Sequence, residues 1–196
     1  MKYNEVVLLI VDFMKNNNIK EDYPMPVNEV LIREMGNYLG YTKGKSIRVV
    51  PIDTSNNLIL GKLRHFTNRV DIAINEKLNN CWKRFVITKE LSHLLMSKNS
   101  EGITENMETL IDGLFSHSFG TSDDISHEKL ALYMAFEYLM PYNISKDILN
   151  SDKSDLEIAR LFSIPENVVK AFRNKEFLNK REDSYKIAFE KHPIIS

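Results

Sequence analysis

A lysine, a glutamate and a histidine lie within five consecutive residues of one helical stretch, Lys89-Glu90-Leu91-Ser92-His93. Residues 89 and 93 are four apart, so both side chains leave the same face of a helix, as two ligands of one metal ion must. Glu90 stands beside them, where a general base for a metal-bound water belongs. On these residues alone the simpler interpretation is a solvated helix carboxylate and a partly buried imidazole, because a glutamate three residues before a histidine occurs in many helices.

Three segments, in this order along the chain, resemble the ImmA/IrrE family of metallopeptidase-like proteins. They are RFVITKELSHLL at 84–95, EKLALYMAFEYLMP at 128–141 and IARLFSIPENVV at 158–169. The first is similar to the family's RFxxxHELGHLL helix, the second to its ExxANxFAxxLLMP helix, and the third to its closing pair of helix-turn-helix-like helices. The resemblance covers about residues 45–173. It implies a zincin-like fold in which His93 and Glu128 are zinc ligands and Glu90 is the general base.

The first ligand position departs from that pattern, because Lys89 stands where the family has a histidine. A lysine offers a lone pair only after losing its proton. From an ordinary lysine pKa of about 10.4, that loss costs about 4.6 kcal/mol at neutral pH. Without Lys89, His93 and Glu128 are one short of the three protein ligands that are usual in catalytic zinc sites. Two further positions also differ: Ser92 replaces a glycine and Leu132 replaces an asparagine.

Another histidine could complete the ligand set. His117 lies in the stretch before Glu128 and is the candidate substitute ligand. His127 is next to Glu128 but projects about 100° away from it around the helix. His65 and His192 have no spacing argument.

A protonated Lys89 between Glu90 and Glu128 is the simpler arrangement, since one fixed cation then stands where zinc would place two charges. We therefore expect a degenerate member without zinc, which acts by binding a protein partner such as a helix-turn-helix repressor. Two alternatives stay open. The first is an active zinc-dependent endopeptidase, since such family members are associated with cleaving helix-turn-helix repressors of mobile elements or stress responses. The second is a DNA-associated regulator acting through residues 154–173. Residues 152–196 hold nine basic and eight acidic residues. Because this balance gives no excess of positive charge for phosphates, direct nucleic-acid binding is not expected.

The elements that must position these residues are mainly helical. Apolar spacing predicts helices at 5–15, 27–39, 80–96 and 106–115, and one from a cap at 122–124 to Met140. A capping box at Ser154 starts another, and Pro165 is the predicted first residue of the next. Runs rich in β-branched residues predict strands at 46–52, 58–66 and 69–75, with a turn at 56–57. The charged tail from Asn174 is predicted to be a solvated helix with a frayed end.

These patterns predict an α+β fold, zincin-like by resemblance, mainly helical with a small antiparallel sheet of about three strands. The last strand alternates cleanly, so one sheet face should pack on helices and the other stay partly wet. We divide the chain into an N-terminal helical segment (1–44), a metallopeptidase-like core (45–141) and a C-terminal helical segment with the helix-turn-helix-like pair (142–196). Residues 97–124 form an insertion relative to compact family members. An ordinary surface excursion is the favoured interpretation, and a lid over the cleft is the alternative.

Composition limits the remaining possibilities. The 196 residues are 43% hydrophobic and 27% charged with a formal net charge of −1, which excludes a disordered chain and a strongly basic nucleic-acid binder. A single cysteine, Cys81, favours a reducing compartment. The apolar run at 6–11 is too short for a signal sequence or a membrane span, so we expect a cytoplasmic protein with no membrane partner.

Overall fold

The protein is represented by a computed structural model that describes residues 3–16, 24–25, 45–53, 59–96, 103–104 and 127–191. These residues form seven helices and a four-stranded sheet, which confirms the predicted mainly helical α+β class. In chain order they are α1 (Tyr3–Asn16), β1 (Ser46–Ile52), β2 (Gly61–His65), β3 (Arg69–Asn75), α2 (Asn80–Met96), β4 (Ile103–Thr104), α3 (His127–Leu139), α4 (Tyr142–Leu149), α5 (Asp155–Phe162), α6 (Glu166–Phe172) and α7 (Lys175–Lys191). The predicted helices at 27–39 and 106–115, the turn at 56–57 and most of the 97–124 insertion lie outside the described residues.

The sheet is mixed, with the strand order β1-β3-β2-β4. β2 runs antiparallel to β3 and to β4, but β1 runs parallel to β3, so the prediction of an antiparallel sheet is wrong for β1. The turn at 67–68 joins β2 directly to β3 and makes that pair antiparallel. The longer connection after β1 lets β3 insert between β1 and β2. The two-residue strand β4 was not predicted because it is too short to show a pattern.

One face of the sheet packs on α2. Leu63, Val70 and Ile72 on this face are at most 2% exposed. A Cβ atom on Gly61 would lie 2.5 Å from Cγ1 of Val86 and 3.1 Å from Cδ1 of Ile74, so only glycine lets β2 approach α2 this closely.

The opposite face carries charged side chains and is partly exposed at Arg48 of β1 and Arg64 of β2. On β3, however, the residues of that face are Asp71, Ala73 and Asn75, which are at most 5% exposed, so the partly wet face predicted from the alternation in β3 is wrong for β3 itself.

The centre of the molecule is the pair of helices α2 and α3. All ten residues from Phe85 to Leu94, and all eleven from Leu130 to Met140, are buried. A helix that is buried on every side normally carries apolar residues only. In α2, however, Thr88 and Ser92 are also buried, and each hydroxyl donates a hydrogen bond to the carbonyl four residues earlier, at 2.9 and 2.8 Å. The titratable side chains of Lys89, Glu90 and His93 lie in the same buried stretch of α2 and belong to the candidate site.

The C-terminal helix α7 is not the solvated helix predicted from its charge balance. Phe177, Arg181, Tyr185 and Ala188 recur at helical spacing and are at most 4% exposed. This stripe packs against α1 and α3, and the charged residues occupy the rest of the helix surface. The prediction of a helix is therefore correct, and the prediction that it is merely solvated is wrong.

A buried ion pair ties α7 to α3. The Arg181 guanidinium donates through Nε to both carboxylate oxygens of Glu137 at 3.0 Å, and the two side chains are at most 1% exposed. Tyr185 donates to the same carboxylate at 2.9 Å, and Tyr3 of α1 donates to it as well. Burial and the nearby Glu137 carboxylate raise the pKa of Tyr3 well above its ordinary value, so its hydroxyl remains a donor. One carboxylate thus links three helices.

The helices α5 and α6 form the predicted C-terminal pair. The Ser154 hydroxyl accepts from the Glu157 amide at 3.3 Å and the Glu157 carboxylate accepts from the Ser154 amide at 2.7 Å, which confirms the capping box. Helix α6 begins at Glu166 with Pro165 as its N-cap, so the predicted start is one residue early. No helix in the described ranges is both long and apolar enough to cross a membrane.

Candidate functional site

The structure brings together the four residues that the sequence singles out around the first ligand position. Helix α2 supplies Lys89, Glu90 and His93 from its buried stretch, and Glu128 comes from the first turn of α3. Lys89 Nζ lies 2.6 Å from Oε2 of Glu128 and 3.4 Å from Oε1 of Glu90. His93 Nε2 lies 3.2 Å from the other Glu128 oxygen, Oε1. The four-residue spacing therefore directs both α2 side chains to one carboxylate.

The four side chains differ sharply in exposure. Those of Lys89, Glu90 and His93 are at most 1% exposed, whereas that of Glu128 is 49% exposed. Burial alone raises the pKa of Glu128, but the hydrogen bond from His93 and the positive charge of Lys89 outweigh it and lower this pKa to about 2. Glu128 is therefore ionised at neutral pH. It closes the cluster at the surface and holds α2 to the start of α3.

These side chains do not fit a zinc ion as they stand. Zinc bonds to carboxylate oxygen and imidazole nitrogen at about 2.0–2.2 Å. Here the Lys89 ammonium lies against Oε2 of Glu128, and the other oxygen faces His93, so the carboxylate is already shared between two α2 side chains. Among the residues that the structure describes, no group of three or more His, Cys, Asp or Glu side chains is arranged to hold a metal ion.

The other histidines are placed as follows. His127 is exposed at the first residue of α3, and His65 is the half-buried last residue of β2. The candidate substitute ligand, His117, and His192 both lie outside the described residues. Within the described part of the chain, Lys89 therefore contacts Glu128 at the position where the family resemblance implies a metal ion.

Two residues of the motif helices have structural roles that the sequence did not indicate. The Ser92 hydroxyl, at the family's glycine position, donates to the carbonyl of Thr88 and so occupies no ligand position. Leu132, at the family's asparagine position, is 4% exposed and belongs to the core. Neither substitution supplies a polar group to the cluster, which among the described residues comprises Lys89, Glu90, His93 and Glu128.

Arg84 anchors the helix that carries the cluster. Its guanidinium donates to the Ser163 carbonyl at 3.1 Å and to the Met25 carbonyl at 2.6 Å. Ser163 caps α5 in a left-handed conformation with φ of 52°, so Arg84 fixes α2 against the turn between α5 and α6. Arg84 is the first residue of the motif segment, so the sequence drew attention to it. The neighbouring residues, however, do not indicate that its partners are backbone carbonyl groups.

Comparison with known proteins assigns the family. Residues 43–172, about two thirds of the chain and all of the cluster, match the family of IrrE N-terminal-like domains, peptidase M78. The chain belongs to this family. No curated protein matches the chain. A solved structure of a Mycobacterium tuberculosis transcriptional regulator is similar at 19% identity with a TM-score of 0.40, over 87% of this chain and 51% of that one. The chain thus spans about half the length of that regulator.

Proposed function

We propose that this chain is a metal-free member of the IrrE N-terminal-like family that acts by binding a protein partner rather than by hydrolysing it. The observation that carries the proposal is the 2.6 Å contact between Lys89 Nζ and Oε2 of Glu128. The family resemblance makes that carboxylate a metal ligand, and in this chain an ammonium group meets it. The cluster then keeps the packing of the metal-binding helices through charge-assisted hydrogen bonds.

The position of Glu90 supports the same proposal. A general base must reach the proton that it removes. Oε1 of Glu90 faces the Lys89 ammonium at 3.4 Å, and the side chain is fully buried between the helices. A carboxylate in this place stabilises a cation.

A zinc titration followed by thermal unfolding tests the proposal. A metal that binds only the folded state at a hundredfold excess over its Kd stabilises it by about 2.7 kcal/mol. We expect no rise in Tm for the natural chain and a rise for Lys89→His, which restores the family's histidine. Lys83→His, on the same helix, is the control that adds a histidine elsewhere and should show no rise. A zinc-dependent rise in the natural chain would contradict the proposal.

The active zinc-dependent endopeptidase is the second candidate, and the match to a peptidase family favours it. It requires a third ligand in the place of Lys89, for which His117 is the candidate. Its substrate would be a helix-turn-helix repressor, which is also a candidate partner in the first proposal. Cleavage of such a repressor that disappears in Glu90→Gln would establish this function, and cleavage that persists in Glu90→Gln would exclude Glu90 as its base.

A further inference from the structure

The face of the sheet turned away from α2 concentrates positive charge. Side chains alternate along a strand, so the face opposite Leu63 and Ile72 carries the intervening residues. In the strand register Arg48 of β1, Asp71 of β3 and Arg64 of β2 lie in one row, and Lys62 follows in the next. We define the basic sheet face by six residues: Arg48, Lys62, Arg64, Phe66, Arg69 and Asp71.

One buried carboxylate organises this face. The Asp71 side chain is 8% exposed and accepts two hydrogen bonds from Arg48, at 3.0 and 2.8 Å. It also accepts one from Nε of Arg69 at 3.2 Å. The Arg48 and Arg69 side chains nevertheless remain 55% and 38% exposed. Both guanidinium groups are therefore held in place while part of each still faces solvent, where it can engage a further acceptor.

The positive charge of the face exceeds what Asp71 can balance. Four cationic side chains share the face with this single carboxylate, so the six residues that define the face carry a net charge of +3. Arg64 is exposed and lies beside Asp71 in the register, and Lys62 is half-buried. In the described part of the chain, neither of these two has a carboxylate within ion-pair distance. The whole chain carries −1, so the rest of it is net negative.

An exposed aromatic ring completes the face. Phe66 follows β2 and pairs with the start of β3, since its amide donates to the Arg69 carbonyl at 2.9 Å. Phe66 is 40% exposed, and the Arg69 guanidinium lies 4.2 Å from the centroid of its ring. The stacked arginine fixes the ring while leaving part of it in solvent. An apolar side chain of a partner would find a contact there, next to cations.

We propose that the basic sheet face docks an acidic segment of a protein partner, with carboxylates on its cations and an apolar residue against Phe66. This inference rests on the proposed partner-binding function and names the chemistry of the partner. Complementary charges of this kind steer association and set specificity. An extended nucleic acid is the poorer match, because its phosphates would run beyond the +3 face onto a chain that is otherwise net negative.

The docking face and the Lys89 cluster can be tested separately. The sheet lies between them, since one face packs on α2 and the basic face looks the other way. Variants at Lys62 and Arg64 leave the cluster contacts unchanged, and zinc titrations of these variants should reproduce those of the natural chain. A failure of docking would therefore not count against the metal-free cluster.

The experiment measures binding of a short fluorescent peptide made of Asp and Glu with one central Leu. We expect salt-sensitive binding by the natural chain and a loss of about tenfold or more in affinity for Lys62→Glu/Arg64→Glu. The control Lys170→Glu/Lys175→Glu makes the same charge change on two exposed lysines of α6 and α7, and it should change the affinity by less than about twofold. If the reversed pair unfolds, Lys62→Gln/Arg64→Gln takes its place, with a smaller loss expected.

Three results would overturn the inference. The first is no binding of the peptide at low ionic strength. The second is an equal loss of affinity in the control. The third is tighter binding of an oligothymidylate of equal charge that depends on Lys62 and Arg64, which would assign the face to nucleic acid instead.

Discussion

Replacing Lys89 by methionine removes the central cation of the cluster and puts an uncharged side chain of similar length in its place. Glu90 then loses a cation at 3.4 Å, and its carboxylate is fully buried. Breaking a buried ion pair by removing one partner costs about 3–5 kcal/mol. The second contact, to Glu128 at 2.6 Å, adds little because that carboxylate is 49% exposed and screened by solvent. With about 2–4 °C of Tm per kcal/mol for a chain of this size, we expect a loss of roughly 6–20 °C.

Thermal and urea unfolding of matched variants measures this effect. Lys186→Met is the control, since Lys186 is 62% exposed and pairs with Glu182 at 3.0 Å, and it should lose less than about 1 kcal/mol. The double variant Lys89→Met/Glu90→Gln removes both charges and should recover at least about half of the loss. A loss in Lys89→Met no larger than in the control, or no recovery in the double variant, would refute the role of Lys89 as the buried cation that balances the Glu90 carboxylate.

Three further predictions concern the rest of the structure. Arg181→Met leaves the Glu137 carboxylate buried without its guanidinium, so urea unfolding should show a loss of about 3–5 kcal/mol, whereas Arg181→Lys should lose less because it keeps the charge. The lowered pKa of Glu128, about 2, means that its carboxylate stabilises the fold fully above the ordinary pKa of 4.5 and that this contribution disappears as the pH falls from 4.5 toward 2. The stability difference between the natural chain and Glu128→Gln should therefore shrink over this pH range, and a constant difference would contradict the ionised state. Ser154→Ala removes the capping box of α5 and should lower the unfolding free energy by about 1 kcal/mol, with Ser154→Asp restoring it.

The sequence correctly predicted the helices and strands whose formation depends on neighbouring residues alone. The bounds of α2, β1 and β3 agree with the prediction, because continuous apolar spacing and β-branched runs are unambiguous there. The parallel pairing of β1 with β3 was not predictable in this way, since strand order depends on contacts between distant parts of the chain. The burial of α7 has a local signal in the helical spacing of Phe177, Tyr185 and Ala188, but the balanced charge of the helix favours a solvated one. The ion pair of Arg181 joins residues 44 positions apart and could not be predicted from local sequence.

The site shows the same division. The spacing of Lys89 and His93 and the family resemblance of the second segment identified the residues that the structure brings together. The manner of contact could not be read from the sequence, because it depends on where α3 begins relative to α2. That the two Glu128 oxygens face different α2 side chains, at 2.6 and 3.2 Å, is a property of the packed helices. The basic sheet face was missed for the same reason, since its cations come from three strands that are joined only by the register.

Native mass spectrometry of the chain, purified without chelators from cells grown with zinc, shows directly whether Lys89 stands in for a metal ion. We expect the mass of the metal-free chain, because the Lys89 ammonium meets the carboxylate that a metal would need. A mass that includes about one zinc ion per chain would contradict this expectation, and the ligand that replaces Lys89 would then have to be sought, beginning with His117.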